Sequence, residues 1–315
     1  MRIVVLAGGI GGARFLRGLK AAAPDAEVTV VGNTGDDIYL FGLKVCPDLD
    51  TVMYTLGGGI NEEQGWGRRD ETFVVKEELA AYGMEPTWFG LGDRDFATHI
   101  VRTQMLDAGY PLSQVTEALC DRWKPGVRLL PMTDQRVETH VVIEDEGGRR
   151  AIHFQEWWVR LRASLPALAI TPVGADEAKP APGVLKAMEE ADFVLFPPSN
   201  PVVSIGTILS VPGIKDALKA KTVVGVSPII GGAPVRGMAD ACLTAIGVET
   251  SAAGVASFYG PELVNGWLVA PEDAPHFVSP GLEPMTVRAH PLLMSDPEAT
   301  RALARAAVDL ALELA

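Results

Sequence analysis

Two kinds of apolar pattern alternate along the chain. Short unbroken runs at Ile3–Leu6, Val28–Val31, Phe193–Phe196 and Thr222–Val226 are each followed by a loop and a stretch compatible with a helix. Apolar runs without alternation predict strands covered on both faces, and strands interleaved with helices predict an α/β fold. The expected architecture is a Rossmann-like, doubly wound, mostly parallel sheet. Helices are predicted over Arg14–Lys20, Asp95–Ala108 and Ser113–Trp123, with Ser113 as an N-cap and Gly109, Tyr110 and Pro111 separating the last two. Val137–Glu144 and Arg150–Gln155 flank an acidic turn holding Gly147 and Gly148, the pattern of a β-hairpin. Residues 95–160 are therefore expected to form a helical and hairpin insertion within a single domain spanning 1–315. Thr171–Gly183, rich in Pro and Ala, reads as a surface connection, and Pro297–Ala315 as a terminal helix.

The opening stretch MRIVVLAGGIGGARFLRGLK joins the first strand to the first helix through Gly8, Gly9, Gly11 and Gly12. A glycine turn at a helix N-terminus exposes unpaired amides to the positive end of the helix dipole, which suits a phosphate. A side chain at Gly11 is expected to intrude between those amides and a bound diphosphate. The dinucleotide fingerprint is incomplete: counted from Gly9, the position that should be Gly or Ala is Arg14, and the second strand ends in Gly32 and Asn33 where a ribose-binding carboxylate is usual. The loop thus reads as an anion site rather than a nicotinamide-dinucleotide site.

A formal charge of −13 speaks against nucleic acid and anionic membrane as partners. The 315 residues, 48% of them hydrophobic, are enough for a large core, and no signal-like or membrane-spanning apolar segment stands out, so a cytoplasmic protein is expected. Cys46, Cys120 and Cys242 lie far apart, have no metal-type spacing and are given no chemistry.

Ligands of doubly wound sheets collect beyond the carboxyl ends of the strands. After the second strand come Asp36, Asp37, Asp48 and Asp50. Asp48 and Asp50 read equally as Mg²⁺ ligands for phosphoryl transfer or as helix caps, whereas Asp36 reads first as a turn residue. Trp66, set among glycines, covers a flat ring or fills a core gap. In LGDRDFATH, Asp93 and Arg94 are candidates, Asp95 is expected to cap a helix, and His99 is left between a structural and a proton-carrying role. Late in the chain FPPSNPVVSIG and VSPIIGGAPVRG supply Ser199, Asn200, Ser204 and Ser227, neutral groups that could grip a phosphate or a base.

Taken together, the stretches GGIGGARFLRGL, NTGDD, PDLDTVMYTL, GWG, LGDRDFATHI, LPMTD, HFQEWWV, PPSNPVVSIG and SPIIGGAPVRG resemble the CofD/FbiA family, 2-phospho-L-lactate and phosphoenolpyruvate transferases of coenzyme F420 biosynthesis. The chain is most similar to the actinobacterial FbiA branch. The resemblance implies a Mg²⁺-assisted transfer in which the terminal ribityl hydroxyl of the deazaflavin Fo attacks the phosphorus of enolpyruvyl- or lactyl-diphosphoguanosine and GMP leaves. It implies catalytic and metal roles for Asp48 and Asp50, and an Fo site at Asp50, Trp66, Asp93 and Arg94. It also implies a nucleotide and phosphate site at Gly8, Gly9, Gly11, Gly12, Asn33, Thr34, Ser199, Asn200, Ser204 and Ser227, and a homodimer. Two alternatives stand beside it: an NAD(P)-dependent oxidoreductase, opposed by Arg14 and Asn33, and a non-catalytic nucleotide-sugar-binding regulator of the same fold.

Overall fold

The computed structural model describes residues 1–277 and 281–315. The chain opens with β1 (Arg2–Ala7), α1 (Gly9–Ala22) and β2 (Glu27–Gly32), then a ribbon of β3 (Ile38–Leu40) and β4 (Leu43–Val45) leads into α2 (Pro47–Leu56). An excursion through α3 (Val74–Ala81), α4 (Asp93–Asp107) and α5 (Leu112–Trp123) returns it to β5 (Arg128–Pro131). β6 (Glu138–Asp145), β7 (Gly148–His153) and β8 (Ala169–Val173) form a small antiparallel sheet in the order β7-β6-β8. Next come α6 (Val184–Glu190), β9 (Phe193–Phe196), α7 (Thr207–Ser210), α8 (Ile214–Leu218) and β10 (Val223–Val226). The ribbon β11 (Ile229–Ile230) and β12 (Ala233–Pro234) precedes α9 (Ala239–Ala245), α10 (Ala252–Tyr259), β13 (Gly266–Val269), β14 (Thr286–Ala289) and α11 (Pro297–Leu314).

The main sheet has seven strands in the order β14-β13-β10-β9-β1-β2-β5, and each neighbouring pair is parallel. Side chains alternate across it as the pleat requires. Ile3 and Val5 share a core with Phe15 and Leu16 of α1, Val52 of α2 and Leu303 of α11. Val4 and Leu6 share the opposite core with Met188 of α6, Ile214 of α8 and Val255 of α10. With helices on both faces, the strands need apolar residues at every position, which is why their sequences read as unbroken runs. The chain leaves β1 toward β2 on one side, while β9 pairs on the other, so the crevice above β1 is the switch point of the sheet.

Several local expectations change. Strand β5, the edge of the main sheet, falls inside residues 95–160 and divides the two helices from the hairpin. Part of Thr171–Gly183 is not a connection, because β8 pairs with β6 from Glu138↔Val173 to Val142↔Ala169. Pro111, not Ser113, caps α5; the Ser113 amide and hydroxyl donate to the Asp134 carboxylate at 2.6 and 2.9 Å. Among the described residues, no helix is long and apolar enough to cross a membrane.

The glycine stretch also differs. Helix α1 starts at Gly9, so Gly11 and Gly12 lie inside it rather than in a turn before it. A Cβ at Gly12 would come within 2.7 Å of Ser199 Oγ and 3.1 Å of the Ala7 Cβ, and one at Gly11 would collide with the Pro198 carbonyl oxygen. Gly12 thereby makes the close helix–strand contact that the dinucleotide pattern would place at Arg14. Gly11→Val should therefore cost about 3 kcal/mol of stability through overpacking against backbone, and weaken donor and acceptor binding alike. Thermal unfolding with separate titration of each ligand checks this; selective loss of the donor in a fully stable variant would restore the view that Gly11 only clears space for an anion.

Candidate active site

Loops after β1, β9 and β10 meet above the switch point around a cleft of about 470 Å³. Its floor is the start of α1, where Gly8 is the N-cap. The Gly9 amide there is already engaged, donating to Asp48 Oδ1 at 2.7 Å. Asp48, one residue after Pro47 in the first turn of α2, places its carboxylate at the positive end of α1, where a negative charge is favoured. A Cβ at Gly8 would come 2.5 Å from Asp48 Oδ2 and 2.7 Å from Ser204 Oγ, so only glycine fits there.

Asn33 organises this corner. Fully buried, its Nδ2 donates to Asp48 Oδ2 at 2.9 Å and to the Val203 carbonyl at 3.2 Å, while its Oδ1 accepts the Gly35 amide at 2.9 Å. A carboxylate could not donate to Asp48, which explains an amide where a dinucleotide site would have an acid.

The four acidic residues of this segment divide into two kinds. Asp37 pairs with Lys44 Nζ at 3.0 Å, and Asp50 forms a close buried ion pair with Arg102, which is 1% exposed. Asp36 and Asp48, 7% and 6% exposed, line the cleft, and among the described residues neither forms an ion pair. Burial and the neighbouring Asp48 raise the pKa of Asp36 well above the usual carboxylate range, and its Oδ1 has no partner. Burial likewise pushes Asp48 up to about 6, against the lowering effect of its bonds from Asn33 and Gly9. Asp48 and Asp50 are thus not brought together. Two positions apart on a helix they do not share a face, and among the described residues Asp50 does not line the cleft.

Asp50 belongs instead to a bridge between α2 and α4. Arg102 Nη1 donates to the Lys44 carbonyl at 3.3 Å and lies 3.1 Å from His99 Nδ1, while that nitrogen is 3.8 Å from Asp50 Oδ2. Burial and the Arg102 charge lower the His99 pKa to about 3, so the imidazole stays neutral and structural. Asp95 lies inside α4 rather than at its cap, which is Gly92. Asp93 accepts from the Thr72 hydroxyl at 2.6 Å and the Val74 and Val75 amides at 3.1 and 2.9 Å, so it caps α3 from outside. Exposed Arg94 donates through Nε to the Asp70 carbonyl at 2.9 Å. Among the described residues, neither Asp93 nor Arg94 lines the cleft, whereas Trp66 does, lying against Gly90.

The remaining predicted groups sit at or just behind the cleft, with several polar atoms already committed. Ser199 Oγ donates to the Gly8 carbonyl at 2.8 Å and accepts the Gly8 amide at 3.3 Å. Asn200 Oδ1 accepts the Val202 and Val203 amides, and Ser227 Oγ donates to the Ile229 carbonyl and accepts the Ile229 amide. Gly12, Asn33 and Thr34 stand behind the wall, Thr34 with a buried unpartnered Oγ1. Ser204 lines the cleft beside Gly8.

Two cations were not foreseen as ligands. Arg14 and Arg236 both line the cleft, neither has a carboxylate partner among the described residues, and burial together with the Arg14 charge lowers the pKa of Arg236. The Arg236 guanidinium is steadied by donating to the Gln64 carbonyl. A signal existed for Arg14: it follows Ile10 by four residues, so both share one face of α1.

The ion pair yields a stability prediction. Asp50→Asn should destabilise the protein by roughly 3 kcal/mol or more, because it leaves the Arg102 charge buried and uncompensated. Replacing both residues together, as Asp50→Leu with Arg102→Met, should recover much of that loss in thermal unfolding. Unchanged stability of Asp50→Asn would show that the pair does not hold α2.

The pattern of the family described as 2-phospho-L-lactate transferase CofD matches residues 3–284. A protein named phosphoenolpyruvate transferase from Thermobifida fusca is 75% identical over 322 residues, covering 100% of this chain and 99% of its own. Proteins of the same name from Streptomyces coelicolor and Mycolicibacterium smegmatis are 71% and 58% identical, covering 100% and 99% of this chain and 99% of each relative. The fold is shared with a crystal structure of a UPF0052-family protein from Bacillus halodurans, at a TM-score of 0.64 and 14% identity over 97% of this chain and 98% of that one. With glycine loop, carboxylates and Pro-rich loops all inside the matched span, this chain belongs to the CofD family.

Proposed function

We propose that this chain is a cytoplasmic phosphoenolpyruvate transferase of coenzyme F420 biosynthesis, acting on Fo and enolpyruvyl-diphosphoguanosine. The observation that carries the reading is a single cleft with a helix N-terminus and two unpaired arginines for phosphates, and two uncompensated carboxylates beside them. The names of the relatives favour the enolpyruvyl donor over the lactyl one. The terminal ribityl hydroxyl of Fo attacks the phosphorus that bears the enolpyruvyl group. A new P–O bond forms as the hydroxyl gives up its proton to the leaving phosphate or to solvent, the P–O bond to GMP breaks with its electrons going to GMP, and the product is dehydro-F420-0; the lactyl donor would give F420-0.

Phosphoryl transfer of this kind depends on positioning and charge neutralisation. Arg14 and Arg236 orient the diphosphate over the positive end of α1, and the loops at Pro198–Ser204 and Ser227–Gly237 hold guanosine. Asp36 and Asp48 suit Mg²⁺, since both are buried, face the cleft and lack a cation, and Asp36 Oδ1 has no partner. The ion, when bound, would neutralise phosphate oxygens of the donor and its leaving group. Asp50, joined to Arg102, keeps α2 in place for Asp48. The implied homodimer would cover the exposed Val74 and Val75 at the start of α3, a helix that buries none of its own residues.

Purified protein incubated with Fo, Mg²⁺ and the guanylylated donors should release GMP and form the diester seen by mass. Asp48→Asn and Asp36→Asn should each lower turnover by roughly 10²-fold or more, the scale for losing a charge-stabilising group, and chelation of divalent ions should do the same. Unmodified Fo with both donors, together with tight binding of a nucleotide sugar, would make the protein a regulator instead.

A further inference from the structure

Past Trp66 the cleft adjoins a recess of about 70 Å³. Trp66 and Gly90 line both spaces, so the indole stands at the junction. Phe73 continues the apolar wall, and Arg68, Glu71 and Asp95 make the polar one. Each of these three has a buried polar atom without a partner: Arg68 Nε, Glu71 Oε2 and Asp95 Oδ1. Asp95 is 7% exposed. Two neighbouring atoms are used locally: Glu71 Oε1 accepts the Arg94 amide at 2.6 Å and Arg68 Nη1 donates to the Arg94 carbonyl at 3.2 Å.

A buried polar atom left unsatisfied costs roughly 1–3 kcal/mol. Three of them around one recess mark a place whose partners come from outside the fold. We infer that this recess receives the hydrogen-bonding edge of a planar heteroaromatic acceptor, an imide-type edge with one N–H between two carbonyls, while the ring face lies on Trp66. The inference rests on the transferase reading and assigns the pyrimidinedione edge of the deazaflavin to Arg68, Glu71 and Asp95. The inventory matches: Glu71 Oε2 accepts the imide N–H, Arg68 Nε–H donates to one carbonyl, and a protonated Asp95 donates to the other. Burial and the nearby Asp50 charge push the Asp95 pKa up to about 7, which leaves that proton available near neutrality. The recess is too small for the tricycle, so only the edge enters. The ribityl chain is then left to run along the main cleft past Thr51 to Asp48.

The test uses the full chain with Mg²⁺, the enolpyruvyl donor, Fo and an N3-methylated Fo whose methyl replaces the imide proton. Wild type should turn over Fo and show a KM about 10-fold or more higher for the methylated acceptor, as a site built to accept that proton would. In Glu71→Gln the Arg94 amide holds the side-chain oxygen and turns the NH₂ toward the recess. Its KM for Fo should rise about 10-fold with kcat and the donor KM unchanged, and the methyl penalty should shrink; an unaltered melting temperature shows the fold is kept. Asp95→Asn, which retains a donor, should lose less than Asp95→Ala. If wild type accepts methylated Fo as readily as Fo, or Glu71→Gln leaves the Fo KM unchanged while product still forms, the recess is only a hydrated gap and the inference fails. If wild type forms no product from Fo at all, the transferase reading itself is what falls.

Discussion

The Gly9 amide donates to Asp48 Oδ1 at 2.7 Å, and Asn33 holds the other oxygen at 2.9 Å. A carboxylate from α2 is thereby fixed at the positive end of α1, where a phosphate would also be drawn. The same charge that satisfies the helix end repels an incoming anion. The proposed divalent cation would reconcile the two, and Asp36, buried and without an ion pair among the described residues, faces the same space. The glycines follow from this crowding: Gly8 because Asp48 and Ser204 leave no room for a side chain, and Gly11 and Gly12 because the Pro198–Ser199 turn lies against the helix.

Beneath the cleft, Asp37 with Lys44 and Asp50 with Arg102 are ion pairs almost without solvent. Such pairs gain little net stability over apolar packing, yet losing one partner is costly. Their value here is geometric. The Asp50–Arg102 pair joins α2 to α4, Arg102 reaches β4 through the Lys44 carbonyl, and Lys44 holds Asp37, so that among the described residues Asp36 and Asp48 are the carboxylates left uncompensated at the surface of the cleft. Neutral His99 completes the packing without contributing charge.

The parallel sheet was legible because unbroken apolar runs and intervening helical periodicity are direct consequences of burial on both faces. The hairpin was legible from its turn. The β8 strand was not, since Pro172 and exposed Val173 give it neither a run nor a clean alternation. At the site, the glycine loop, Asp48 and Trp66 could be picked out because each has a local signature. The separation of Asp48 from Asp50 follows from helical spacing, but which carboxylate faces the cleft depends on Arg102, more than fifty residues away in sequence. Asp93 read as a ligand and is a cap for α3, a contact between segments that no local pattern announces. Arg14 was visible only as a misfit to a fingerprint, because its significance comes from meeting Arg236 across the cleft.

Binding of a divalent ion by the paired carboxylates is tested most directly with Mn²⁺ as a paramagnetic probe, titrated into the protein with and without GDP and followed by electron paramagnetic resonance. One ion per chain should bind, more tightly with the nucleotide present, and the Asp36→Asn, Asp48→Asn double variant should lose it while remaining folded by circular dichroism. Equal Mn²⁺ binding by wild type and the double variant would contradict the assignment of the metal to these two residues.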